Sequence, residues 1–221
     1  MSEQATAEPG LRERKKERTR QHIAETAQRL FAERGFEQVT VAEVARAAEV
    51  APATVFNYFP AKEDLFYSRL EAFEERLLTA IRERPAGSDV LDAFAGFLFG
   101  QGGVLAFRSP DGEAAATARI AAISRLVTES PALLARERQV FDQYARTLAD
   151  ALAEEVGVKP GDVRCRTVAG ALLGLHRALV DHVRELALAG ATASEIGRSV
   201  RREARRAVAQ LRDGLGGFGA R

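Results

Sequence analysis

An all-α fold is predicted for this chain of 221 residues, and three observations predict it. Apolar residues recur at spacings of three and four, the mark of helices with one buried face. Alternating apolar and polar runs, the mark of strands, are almost absent. Gly and Pro stand between the periodic stretches, where helices begin and end. No internal repeat is visible.

Composition narrows the classes. A hydrophobic share of 46 % supplies a core of ordinary size, and a net charge of +1 leaves any basic surface local. No stretch reaches the roughly 18 uninterrupted apolar residues of a membrane span. The opening MSEQATAEPG has no apolar secretion core. A cytoplasmic chain without membrane contact is expected. The single cysteine, Cys165, excludes an internal disulfide and a multi-cysteine zinc site.

The first helix is expected from Arg12 to Arg34. Ile23, Ala27, Leu30 and Phe31 share one face, and Gly35 follows as a residue able to take positive φ. Its opening turns carry Arg12, Arg14, Lys15, Lys16, Arg18 and Arg20 against Glu13 and Glu17. Positive charge there opposes the helix dipole. It is either a solvated face or a patch that meets phosphates.

Thr40-Val41-Ala42-Glu43 is a capping box with Val39 and Val44 as its hydrophobic staple, and it opens a second helix of about two turns. A third helix follows, with Ala51 as a weak N-cap and Pro52 suited to the first helical position. Val55 and Phe59 point inward with Val50, which leaves Pro52, Ala53, Thr54, Asn57 and Tyr58 on the outer surface. Pro60 ends it. Two short helices across a tight turn, the second small and polar outside, match a helix-turn-helix. Bulk at Ala53 would hold the backbone off the bases. Asn57 offers a donor and an acceptor in one plane, which suits an adenine edge. The Tyr58 hydroxyl and Lys62 can reach phosphates, contacts that set register without reading sequence.

Residues 12–66 resemble the N-terminal domain of the TetR (tetracycline-repressor-like) transcriptional regulators. The resemblance rests on FAERGFEQVTVAEVARAAEVAPATVFNYFPAKEDLF: Gly35-Phe36 in the first turn, Thr40 opening helix two, then Thr54, Phe56, Tyr58, Phe59 and Lys62 in order. Two positions depart from the family pattern. Glu49 stands where a turn glycine is usual, and Ala51 where Ser or Thr caps the recognition helix. The first raises the question of how the turn closes.

From Glu63 one long helix is expected through Phe66, Leu70, Phe73, Leu77 and Ile81 to Arg84. Residues 89–100 carry Leu91, Phe94, Phe97, Leu98 and Phe99, and GQGGVLAFRSPDGE (100–113) is expected to be irregular. Ser130-Pro131 opens a helix with Leu134, Phe141, Leu148 and Leu152. Another spans about 160–189 with Val168, Leu172, Leu175, Leu179, Val183 and Leu186. Thr192-Ala193-Ser194-Glu195 is a second capping box, opening a last helix with Ile196, Val200, Ala204, Val208 and Leu211.

The organisation the resemblance implies is a three-helix helix-turn-helix DNA-binding domain (11–62) and a C-terminal helical ligand-binding and dimerisation domain (63–213), with flexible termini expected at 1–10 and 214–221. The resemblance implies that the last two helices pair with their copies in a homodimer. Gly170 and Gly174 would allow close approach, or would pack within the subunit. It also implies a small-molecule effector, an acyl-CoA-like or other lipophilic compound, with no cofactor. Phe94, Phe97, Phe141, Tyr144 and His176 are the candidate lining, though such a stripe is also plain core.

An enzyme is not expected. His22, His176 and His182 have no metal-pair spacing, Cys165 has no nucleophile partners, and no phosphate-cradling Gly loop precedes a helix. The reading is a one-component repressor that binds a palindromic DNA operator. Arg18, Arg20, Thr40, Tyr58 and Lys62 would meet phosphates, and Pro52, Ala53, Thr54 and Asn57 bases. The alternative is an architectural or activator protein without ligand switching; Arg201, Arg202, Arg205 and Arg206 are either a solvated face beside the dimer bundle or, on that alternative, a second nucleic-acid contact.

Overall fold

The computed structural model describes residues 10–68, 70–100 and 112–215. Those residues form helices and no strand, and the chain divides into two compact units, Met1–Ser68 and Arg69–Arg221.

The first unit holds α1 (Leu11–Arg34), α2 (Val41–Ala47), α3 (Pro52–Tyr58) and α4 (Lys62–Phe66). Gly35 takes φ 85° and donates its N–H to the Phe31 carbonyl, which stops α1 as its sequence predicts. The Thr40 capping box is formed in both directions. Ala51 caps α3 without a side-chain bond, and Pro52 occupies its first turn. Ile23, Ala27, Val39, Val44, Val55 and Leu65 are each 0 % exposed and make a core that α1 closes over the three short helices.

The second unit contains α5 (Leu70–Arg82), α6 (Val90–Phe99), α7 (Glu113–Glu129), α8 (Pro131–Glu155), α9 (Val163–Leu188) and α10 (Ala193–Leu215). α9 lies centrally, against α7, α8 and α10. Its N-cap is Asp162, whose carboxylate accepts from the Arg164 and Cys165 amides. Thr192 and Glu195 cap α10 reciprocally, at 2.8 and 3.3 Å. Two ion pairs fix the packing of α8. Arg84, its side chain 1 % exposed, binds Glu155 and the Ile81 carbonyl, and Arg184 of α9 binds Glu137 at 2.7 Å.

Two expectations are corrected. The helix expected from Glu63 to Arg84 is two helices, because α4 stops at Phe66 and α5 begins at Leu70. Tyr67 and Ser68 are buried in the first unit, Tyr67 edge-on to Phe66 and Ser68 accepting from Gln28 at 3.2 Å, so the chain turns to place them. Residues 114–129, to which the sequence reading gives no element, are α7. The irregular stretch expected at 100–113 lies mostly outside the described residues, as do the termini, although α10 runs on to Leu215.

Candidate nucleic-acid interface and body aromatic cluster

The inward residues of α3 fix what its outer face shows. Val55 and Phe59 are buried, and Pro52, Ala53, Phe56 and Asn57 are exposed, with Thr54 and Tyr58 partly so. Arg18, Arg20, Asn57 and Tyr58 line one groove with Arg14, Lys16 and Gln21, so the basic opening of α1 and the end of α3 share a surface. Glu13 and Glu17 line it too and temper its charge. The Arg20 guanidinium lies 5.1 Å from the centre of the Phe59 ring, which holds α1 against the end of α3.

Thr40 is exposed, and its hydroxyl is engaged in the cap, donating to Glu43 at 2.8 Å and accepting from the Glu43 amide at 3.2 Å. Glu43 also takes an Arg34 bond at 2.7 Å. The Thr40 backbone bond first, and then Arg34, lower its pKa to about 2. Lys62 places its ammonium 4.1 Å from the centre of the Phe36 ring, where burial pushes its pKa down against the pull of Glu37, Glu63 and Glu43. It is thus seated on the aromatic core of the first unit and is not among the residues that line the groove.

The turn closes through strain. Glu49 takes φ 54°, the left-handed region that glycine adopts freely and an L-residue enters at a cost of about 1–2 kcal/mol. That conformation lets Val50 donate to the Ala45 carbonyl at 2.9 Å and aims the chain into α3.

Sequence reasoning left Phe56 out of the candidate contacts. It is 51 % exposed, a large apolar ring on the outer face of α3. The available signal was its place between inward Val55 and outward Asn57.

In the second unit, Phe97, Tyr144 and His176 meet Phe73, and Phe141 joins them through His176; Phe73 was expected on the apolar face of the long helix and not in the candidate lining. Phe73 lies 5.0 Å from Phe97, 6.3 Å from Tyr144 and 4.4 Å from His176, and Phe141 lies 5.5 Å from His176. Phe94 is fully buried nearby in α6. His176 is 4 % exposed, and desolvation lowers its pKa to about 4. Among the described residues no cluster of His, Cys, Asp and Glu is arranged to hold a metal, and no helix is long and apolar enough to cross a membrane.

Comparison with known proteins agrees with this geometry. Residues 23–68 match the model for bacterial regulatory proteins of the tetR family, and residues 102–215 match the MftR C-terminal domain. The HTH-type transcriptional regulator TcmR of Streptomyces glaucescens is 36 % identical over 156 residues, 70 % of this chain and 67 % of that protein. The transcriptional regulator MftR of Mycobacterium tuberculosis is 27 % identical over 169 residues, 76 % of this chain and 81 % of that protein. These families and relatives are regulators of transcription rather than enzymes. The chain belongs to the TetR family of transcriptional regulators.

Proposed function

We propose that the protein is a cytoplasmic one-component repressor that binds a palindromic operator as a homodimer and is released by a small lipophilic effector. The observation that carries the reading is the outer face of α3. Small Pro52 and Ala53, the Asn57 amide and the Phe56 ring are all exposed on a helix whose inner residues are buried. Such a face can approach base edges, while Arg18, Arg20 and Tyr58 meet phosphates beside it.

One short helix reads too few base pairs for useful specificity, and a two-fold pair reads a near-palindrome. α9 offers the surface for pairing. Val163 is 73 % and Leu188 47 % exposed, and between them Thr167, Gly170, Gly174 and Ala178 are exposed along one face. A Cβ built on Gly170 or Gly174 meets nothing within 4 Å, so neither glycine serves packing inside this chain. Together with α10, this face would form a four-helix bundle with its copy. Release would follow if the effector prefers a body shape that sets the two reading helices at the wrong spacing. It can shift that equilibrium only by its differential affinity for the two shapes.

The test is selection from a randomised duplex library, with light scattering of the complex. A palindromic site occupied by two chains is expected. Recovery of no preferred sequence, or a lone chain on a half-site, would sink the reading.

A further inference from the structure

We propose that His176 is the polar anchor of an effector site in the body, and that the effector it fits is an uncharged, flat, largely apolar molecule bearing a hydroxyl group. This rests on the regulator reading above and specifies its effector.

Among the described residues neither ring nitrogen of His176 has a hydrogen-bond partner, although the residue is buried, at 4 % exposure. Buried polar groups in folded proteins are nearly always bonded, so a histidine unpaired at both nitrogens points to something that pairs with it. Its surroundings narrow what that is. Phe73 from α5 and Phe141 from α8 flank the imidazole, and Phe73 in turn meets Phe97 of α6 and stacks on Tyr144 of α8. The ring therefore sits in an aromatic setting built by four helices, which suits a flat partner that can lie against ring faces.

Charge decides the rest. Among the described residues, the buried charged groups of this unit already have partners: Arg84 pairs with Glu155, Glu137 with Arg184, and Asp89 with Arg212. The imidazole itself is held neutral near pH 7 by its burial. Among the described residues no charged group acts on the imidazole, so a carboxylate or phosphate brought here would find no cation among them. A pure hydrocarbon would leave both nitrogens unpaired. A neutral imidazole has one N–H to give and one lone pair to offer, and a hydroxyl can satisfy either.

The test titrates the full chain calorimetrically with 2-naphthol, naphthalene and 2-naphthoate, which share one ring system and differ in hydroxyl, hydrogen and carboxylate. We expect 2-naphthol to bind about tenfold more tightly than naphthalene, as one buried hydrogen bond would give. We expect 2-naphthoate not to bind, and His176→Phe to bring the first two probes to equal affinity. A second reading needs no variant. The chain has three histidines, so histidine-labelled protein shows three imidazoles, and that of His176 alone should move on adding 2-naphthol. Equal affinity for 2-naphthol and naphthalene, a preference that survives His176→Phe, tightest binding of 2-naphthoate, or no binding with His176 unmoved would each overturn the inference. The same samples are then tested on the selected duplex. Duplex binding without naphthol selectivity defeats this inference alone. Naphthol held through His176 by a chain that selects no duplex defeats the regulator reading alone.

Discussion

Arg34 and Glu43 meet at 2.7 Å, joining the last turn of α1 to the capping turn of α2. The same carboxylate accepts the Thr40 amide, so one ionised group holds the entry to the helix-turn-helix from two sides. A carboxylate with a folded pKa near 2 and an ordinary value of 4.5 stabilises the fold fully above pH 4.5. That contribution is lost as pH falls through the window down to about 2. Denaturant midpoints of the first unit should drop across that window, and Glu43→Gln, which keeps a side chain able to cap, should flatten the drop. An acid limb of the same steepness in the variant would assign the loss to other groups.

Glu49 gives a second test on the same turn. Replacing it by glycine removes a left-handed cost of about 1–2 kcal/mol and adds about 0.5–1 kcal/mol of unfolded-chain freedom. Glu49→Gly should therefore gain up to about 1.5 kcal/mol of stability. Glu49→Ala keeps the Cβ and should gain none. Urea midpoints of the two variants measure the difference, and equal gains would show that the backbone is not the source.

In the second unit, Arg84→Ala leaves Glu155 without its buried partner. Breaking such a pair from one side costs about 3–5 kcal/mol, because the remaining charge stays desolvated. The double change Arg84→Met with Glu155→Leu should recover most of that loss in thermal unfolding. Failure to recover would mean that the Arg84 bonds to the Ile81 and Ser88 carbonyls carry the stability instead.

What the sequence made legible was local. The Thr40–Glu43 and Thr192–Glu195 boxes, the Gly35 stop and the Pro52 start are decided by neighbours within one turn, and all appear in the fold. The break after Phe66 was not legible, because a three-four apolar spacing runs straight across it and only the burial of Tyr67 and Ser68 ends α4. α7 buries Ala116, Ser124 and Val127 and packs Ile120 against the core while Ile123 stays 48 % exposed, so an Ala-rich helix with a polar residue on its buried face went unread. The aromatic cluster was half legible. Phe97, Phe141, Tyr144 and His176 stood out as types, whereas Phe73, which connects three of them, looked like any residue at helical spacing.

Lys62 separates a phosphate contact from a structural one. Its place over Phe36 is worth about 0.5–1 kcal/mol at a partly exposed site, so Lys62→Ala should lower stability by that amount. If the ammonium also reaches a phosphate, the variant weakens all duplexes alike and reduces the slope of log affinity against log salt by about one. That is the expected result. An unchanged slope with the stability loss intact would restrict Lys62 to holding the fold.

Asn57 and Phe56 make the sharpest prediction, because the two side chains should read different chemistry from one helix. An amide can bond the adenine N6 and N7 edge, so Asn57→Ala should cost about 1–3 kcal/mol at one operator position and leave the others unaffected. Phe56 has no polar atom and is 51 % exposed, so the groove feature it can meet is the thymine methyl. Replacing single thymines by deoxyuridine removes that methyl without touching a hydrogen bond. At one position the wild-type chain should lose affinity on this change, and Phe56→Ala should be indifferent to it. The same deoxyuridine change should not alter the penalty of Asn57→Ala, since amide and ring act on separate base pairs. If both variants respond to one thymine, the side chains share a contact. If neither base change nor variant matters anywhere in the selected site, the outer face of α3 does not face the bases.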